Sequence, residues 1–324
     1  MTRLAAATGN GVAVLTEEDG AWTATVTALK SASCVAIDSL RPATLFAGGR
    51  GGGLLKSTDG GATWDDLALP NADVFSVAVS PVDGTLYAGC EPSMLFRSRD
   101  GGDSWEELDA LRAIPSAPTW SFPPRPWTSH VRWIAPCPHE AGVLLVGIEL
   151  GGLMYTDDGG ATWTDHRPGA QRDVHSLAWH PEAHGRAYEA AGGGAAWSSD
   201  GGLTWKPADE GRDRHYTWSV AVDPIDPDCW YVSASPGPYQ AHGDGRAEAF
   251  IYRRRDDGSW EALGGGLPQP LDWMPYALLA LPDRLFAGLA DGRLYASEDR
   301  GDTWRKVAIG GDKLPRIVAL TPLQ

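Results

Sequence analysis

Short apolar runs of four to seven residues recur along the chain, separated by clusters of Gly, Asp and Pro. They follow a template. One run ends near a proline (SVAVSP from Ser76, SLAWHP from Ser176, SVAVDP from Ser219) and a second follows (TLYAG from Thr85, RLFAG from Arg284). A third run leads into a polar turn and a fourth leaves it. β-Branched and aromatic residues between turn formers predict strands, four to a unit and antiparallel. No stretch sustains an apolar period of 3.6, so little helix is expected. The longest nearly unbroken apolar run, 143–148, is far shorter than the roughly 20 residues a membrane span needs. Residues 1–24 lack the basic start, apolar block and cleavage-like site of a leader. A soluble, cytoplasmic protein is expected.

The polar turn repeats. STDGGATW begins at Ser57, SRDGGDSW at Ser98, TDDGGATW at Thr156 and SSDGGLTW at Ser198, while SEDRGDTW at Ser297 carries Arg300 in place of a glycine. Shortened copies end at Trp22 and Trp260. The terminal tryptophans Trp22, Trp64, Trp105, Trp163, Trp205, Trp260 and Trp304 are spaced by 42, 41, 58, 42, 55 and 44 residues. A period near 42 marks a repeat architecture of seven equivalent units. Seven four-stranded antiparallel sheets arranged radially make an all-β, seven-bladed propeller, which protects its sheet edges by repetition. The first unit starts at its second strand (4–8), and RIVALTP from Arg316 is an orphan inner-strand pattern. Residues 316–321 are therefore expected to pair into blade one and close the ring, with 1–324 forming a single domain.

The S-x-D-x-G-x-T-W motif resembles the Asp-box, or BNR, repeat of sialidases, sortilin-type luminal domains, xyloglucanases and photosystem assembly factors. The resemblance spans nearly the whole chain and implies the propeller fold, with ligand chemistry on the face away from the boxes. Glycoside hydrolysis is the enzymatic activity it suggests. Residues 315–318 are the nearest string to the [F/Y]RIP segment of members that cleave sialic acid, and they lie in the closing strand. Asp59, Asp100, Asp158, Asp200 and Asp299, one per box, read as turn-forming carboxylates rather than catalytic ones.

Composition narrows the partners. The chain has 324 residues and a net charge of −15, which argues against nucleic acid and anionic membrane. With 40 glycines and 24 prolines it does not suit a helical bundle. Cys34, Cys90, Cys137 and Cys229 stand far apart without a CxxC pair and read as buried thiols. Arg253, Arg254 and Arg255, the only basic run, reads as a solvated strand end.

Two insertions, 109–130 and 236–249, are expected on the face opposite the boxes. Aligning the inner strands puts Arg316, Ser33, Phe75, Arg132, His175, Trp218 and Tyr276 at equivalent positions around the central mouth. Asp73, His130, Asp173, Tyr216 and Met274 lie two residues earlier, and Arg50, Glu91 and Glu149 follow second strands. Three chemistries fit this set. Glu91, Glu149, Asp173 and His175 can supply acid–base groups for glycoside cleavage, with Trp120, Trp127 or Trp218 as a sugar platform. Alternatively, His130, His175 and Glu149 can hold a divalent metal, with His215 or His242 as a further ligand. Third, Arg132, Arg172 and Arg316 can bind an anionic or hydroxylated ligand, with Arg50, Tyr216 and Tyr276 lining the same mouth. A small polar or sugar-like ligand is the expected partner, and a non-catalytic protein-interaction scaffold is the rival.

Overall fold

A computed structural model describes residues 2–29, 31–122, 128–256 and 258–323. Seven antiparallel sheets follow one another around a central axis. Their inner strands, Ala319–Leu323, Ala32–Ile37, Val74–Val79, Val131–Pro136, Val174–Trp179, Tyr216–Val222 and Pro275–Ala280, touch in that order and close into a ring. Ala319–Leu323 pairs with Thr2–Ala7, so the C-terminal strand is the innermost of blade one. It begins three residues later than its sequence pattern suggests, because Ile317 and Val318 are used in bonds to Leu289 and Ala7.

The second strands of blades two to seven are buried along their whole length, which is why their sequences read as largely apolar runs, broken only by Glu189, Ser233 and Ser235. Outer strands are only two or three residues long in five blades. In blade four the outer strand shrinks to one bridge, Tyr155 to Thr164. Blade one instead gains a fifth strand, Ile309–Gly311, parallel to its outer strand Ala21–Ala28. Among the described residues helix is confined to Pro238–Ala241 and two 3-10 turns, Asp109–Ala113 and Ala117–Thr119. Among the described residues no helix is long and apolar enough to cross a membrane.

The core is divided. Seven apolar clusters form among the described residues, each shared by two successive blades. Each repeat tryptophan packs in or against the cluster between its own blade and the preceding one. Trp22 joins the seven–one interface, and Trp205 and Trp304 fill the four–five and six–seven interfaces. All four cysteines are buried free thiols, and burial pushes Cys34 and Cys90 up to about 12. The basic run departs from expectation. Arg253 is buried, bonded to Asp302, Glu261 and the Arg300 carbonyl, because it spans from blade six to the turn of blade seven.

The octapeptide joins third to fourth strands, and its chemistry is closed on itself. Asp59 accepts from Ser57 Oγ, Thr63 N and Thr63 Oγ1 at 2.8, 2.9 and 2.6 Å, and Gly61 N donates to Ser57 Oγ. The same set recurs around Asp100, Asp158, Asp200 and Asp299. Each carboxylate is engaged by three donors of its own turn, which accounts for one aspartate per box. Gly61 has φ +94°, and a Cβ there would lie 2.9 Å from Val14 of blade one, so both backbone and packing require glycine. Arg300 adopts φ +59° as a non-glycine, held by its bond to Asp223 and by Tyr231 and Arg253 on its carbonyl.

Hydroxyl and backbone donors hold Asp59 and Asp158 down at about 2, and lower Asp100 and Asp299 as well. A carboxyl depressed in the folded state adds stability above its ordinary pKa of about 4, and that stability is lost as pH falls toward the folded value. The melting temperature is therefore expected to drop between pH 4 and about 2. An Asp59→Asn, Asp158→Asn double variant should show a shallower drop in the same scan, and a slope as steep as wild type would contradict this account.

Candidate functional site

The mouth is built by a repeated irregularity. In six blades the ladder between first and second strands slips, leaving an unpaired position at Ser33, Phe75, Arg132, His175, Trp218 or Tyr276. In blade six the slip also takes in Ser219. A bulge bends its strand and re-aims the extra side chain. These are the residues aligned from the sequence as the ring of the mouth. The serine after the bulge locks the next blade: Ser76 Oγ donates to Val131 O, Ser176 Oγ to Trp218 O, and Ser219 Oγ accepts from Leu278 N.

Glycines face the bulges. A Cβ at Gly48, Gly89, Gly147 or Gly288 would lie 2.3 to 2.6 Å from Val74, Val131, Val174 or Ile317 of the following blade. The bulged strands enclose a central cavity of about 460 Å³. Phe75, Arg132, Trp218 and Tyr276 line it with the apolar side chains of Val35, Ile37, Val77 and Leu278.

Charged groups gather between blades three, four and five. His130 Nε2 lies 2.6 Å from Glu149 Oε2, and His130 Nδ1 is 3.7 Å from Glu91 Oε2. Phe75 stacks on the His130 ring at 3.9 Å, and Phe122 meets its edge. Arg132 Nε lies 3.5 Å from Glu149 Oε2, with its guanidinium 4.7 Å over Trp218. His175 Nδ1 is 2.6 Å from the Thr217 carbonyl, and His175 Nε2 is 3.6 Å from Asp173 Oδ2. Glu149, Asp173 and His175 each bring one ligand atom within 4.8 Å of the others.

The two carboxyls are driven apart. Burial alone would raise Glu149, but the His130 bond and the Arg132 charge more than offset it and hold it at about 2. Asp173, buried and facing the Glu149 charge, is pushed up to about 6. Burial lowers His175 to about 4, so its ring is neutral at pH 7.

Other expected residues are distributed differently. Arg50 is exposed and reaches over Phe75 at 5.5 Å, on the rim. Arg316 is exposed and runs beside Gly9, near enough to Tyr276 to act on its hydroxyl. Arg172 points to solvent and acts on His166 rather than joining the cluster. Trp120 is a correction: it is packed with Leu111, Ile114 and Ile148, with its Nε1 on Ser116, so it offers no sugar platform. Trp127 lies outside the described residues.

The histidines named as further metal ligands are also placed elsewhere. His215 is exposed and outside the cluster. His242, on the 236–249 insertion, has Nε2 bonded to Tyr216 OH at 2.9 Å and Nδ1 to Tyr276 OH at 2.8 Å, which leaves neither nitrogen for an ion. His242 and Phe122 bring both insertions to the mouth.

Three contributors were not singled out from the sequence: the Thr217 carbonyl, Phe122 and Glu189. Glu189 is fully buried in the second strand of blade five and accepts the Gln171 N–H at 3.0 Å, fastening the segment that carries Asp173. A lone acidic residue inside an apolar run (YEAA) was the available signal.

No protein-family model and no curated protein matches the chain. Solved structures do. The GH74 xyloglucanase from Xanthomonas campestris superposes with a TM-score of 0.66 at 18% identity, over 94% of this chain and 47% of that one. An ancestral GH74 enzyme gives 0.67 at 18%, over 87% and 39%. YCF48 bound to D1 peptide gives 0.59 at 19%, over 85% and 81%. The likeness is one of fold. The chain spans less than half the length of the GH74 enzymes it matches.

Burial raises Glu189 to about 8. A carboxyl raised in the folded state stabilises fully below its ordinary pKa, and that contribution is lost as pH rises through the folded value. Wild type should therefore lose stability between about pH 4.5 and 8, and Glu189→Gln should remove that loss. Urea denaturation at pH 5 and pH 8 measures it; an equal decline in both proteins would rule out Glu189 as the source.

Proposed function

We propose that the protein is an Asp-box propeller that recognises a small, oxygen-rich ligand, hydroxylated or anionic, at the central mouth. The reading is carried by Arg132. Arg132 lines the cavity, and its guanidinium lies 4.7 Å over the Trp218 ring and is held beside Glu149. A positioned guanidinium beside an aromatic face suits carboxylate or vicinal hydroxyl oxygens on a compact organic body. The rim supplies Arg50 and Arg316 as outer cations, and Tyr216, Trp218 and Tyr276 as the wall. Four free buried thiols support a reducing, cytoplasmic setting. The net charge of −15 supports a small ligand over nucleic acid.

Glycoside hydrolysis is a second reading, favoured by the carboxyl pair. Asp173 raised to about 6 and Glu149 held at about 2, with ligand atoms within 4.8 Å, is the kind of split between two carboxyls that retaining cleavage uses, the higher one serving as the acid once pH falls to about 6. The fold-level likeness to GH74 enzymes supports it as well.

Calorimetric titration with uronic acids, hydroxy acids and neutral sugars tests the first reading. At least one class should bind, and Arg132→Met should weaken it by about 10- to 100-fold, the worth of a charge-assisted hydrogen bond. Binding that is indifferent to both Arg132→Met and Trp218→Leu would move the ligand away from the mouth and favour the scaffold. For the second reading, chromogenic glycosides should be turned over by wild type and at least about 100-fold more slowly by Asp173→Asn. No turnover by folded wild type removes it.

A further inference from the structure

The His175 ring is oriented by its neighbour. A carbonyl oxygen only accepts hydrogen bonds, so the 2.6 Å contact with Thr217 O fixes the proton on Nδ1. The neutral ring then presents a bare lone pair at Nε2. That nitrogen is buried, has no hydrogen-bond partner among the described residues, and faces Asp173 Oδ2 at 3.6 Å. Two acceptors confront one another there, with the Glu149 carboxylate beside them. A cation between the three would satisfy all of them.

The surroundings are those of a ligating shell. Metal-bound histidines commonly donate their other N–H to a backbone carbonyl, and ligating carboxylates are themselves hydrogen-bonded. Thr217 is held in place: its hydroxyl proton is shared between Ala191 O and Gly194 O, and its Oγ1 accepts from Ala191 N. Glu149 is anchored by His130 and Arg132, and His130 is clamped by Phe75 and Phe122. Bringing donors now within 4.8 Å to about 2.1 Å from a common ion takes side-chain shifts on the order of 1 Å.

We propose that Glu149, Asp173 and His175 hold one divalent transition-metal ion, with Thr217 orienting His175 and with His130 and Arg132 anchoring Glu149. One imidazole and two carboxylates suit Zn²⁺, Mn²⁺ or Fe²⁺ better than the all-oxygen cages of Ca²⁺ or Mg²⁺. Three protein donors leave coordination positions open, as in sites that bind exchangeable ligands rather than purely structural ones. This ligand set replaces the His130, His175, Glu149 set expected from the sequence, because His130 Nε2 is already engaged with Glu149. The inference deepens the ligand-recognition reading, since the ion would take the ligand's oxygens beside Arg132. It also assigns Asp173 to coordination instead of proton transfer.

The test uses the full chain, stripped with a chelator and titrated with Zn²⁺ by calorimetry and with Co²⁺ by visible absorption. One equivalent should bind, with the d–d spectrum of a low-symmetry site and a rise in melting temperature. Asp173→Asn and His175→Gln should each weaken binding by about 100-fold or more, while His139→Ala, in the stacked His139–His184 pair elsewhere on the protein, should bind as wild type. No saturable binding by folded wild type overturns the proposal. So does full-strength binding by folded Asp173→Asn and His175→Gln, or its loss in His139→Ala. If the first two variants fail to fold, the wild-type Co²⁺ titration with the His139→Ala control decides alone. Metal uptake is read without any organic ligand, so its failure is separate from failure of the Arg132 titrations.

Discussion

Everything in this molecule depends on how closely one blade approaches the next. The second strand gives up its side chain at Gly48, Gly89, Gly147 and Gly288 so that a β-branched residue of the following inner strand can sit against bare backbone. At the outer end of the same interface, a repeat tryptophan fills the space against the preceding blade. Glycine inside at these four interfaces and a repeat tryptophan outside at all seven make the contacts wedge-shaped, and the seven blades close a ring. Close packing makes such contacts intolerant of added methyl groups, so the radius of the central cavity follows from them.

The same geometry produces the site. Where an inner strand meets its neighbour it bulges, and the bulge turns one side chain toward the axis in six successive blades. Phe75, Trp218 and Tyr276 among these residues, with the apolar side chains of Val35, Ile37, Val77 and Leu278, make the surroundings poorly solvating. Charges placed among them are consequently felt strongly. Glu149 is stabilised as an anion by His130 and Arg132, and at Asp173 burial and the Glu149 charge outweigh the Leu150 N–H and Arg132 and push it the other way. Differences between neighbouring blades, not any one residue, create this asymmetry. The insertions reinforce it by delivering Phe122 and His242 to otherwise similar positions.

Much of this was legible from the chain. A repeat whose turn chemistry is local, Ser to Asp to Thr within one octapeptide, reveals itself in sequence because all of its partners lie within a few residues. Counting seven copies gave the blades, and aligning the inner strands gave the ring of bulged positions, since a bulge repeated at one register leaves its residue at one offset. What failed was side-chain direction. Trp120 and Arg172 are near the mouth in sequence but turned into the core or to solvent, and Arg253 is buried between Glu261 of its own blade and Asp302 of the next. Nothing within the span of a strand signals which of two faces an insertion residue will take.

The sequence by itself determined the architecture: strand length, turn chemistry, repeat number and the closing strand follow from local patterning and the need to bury both faces of each sheet against its neighbours. Only the tertiary structure decided the chemistry. That His175 is locked by a carbonyl 42 residues away, that His130 serves Glu149 instead of standing free, and that His242 is spent on two tyrosines are consequences of contacts between blades. Hydrogen-bond partners across an interface depend on distances of a few tenths of an ångström, and no spacing along the chain encodes them.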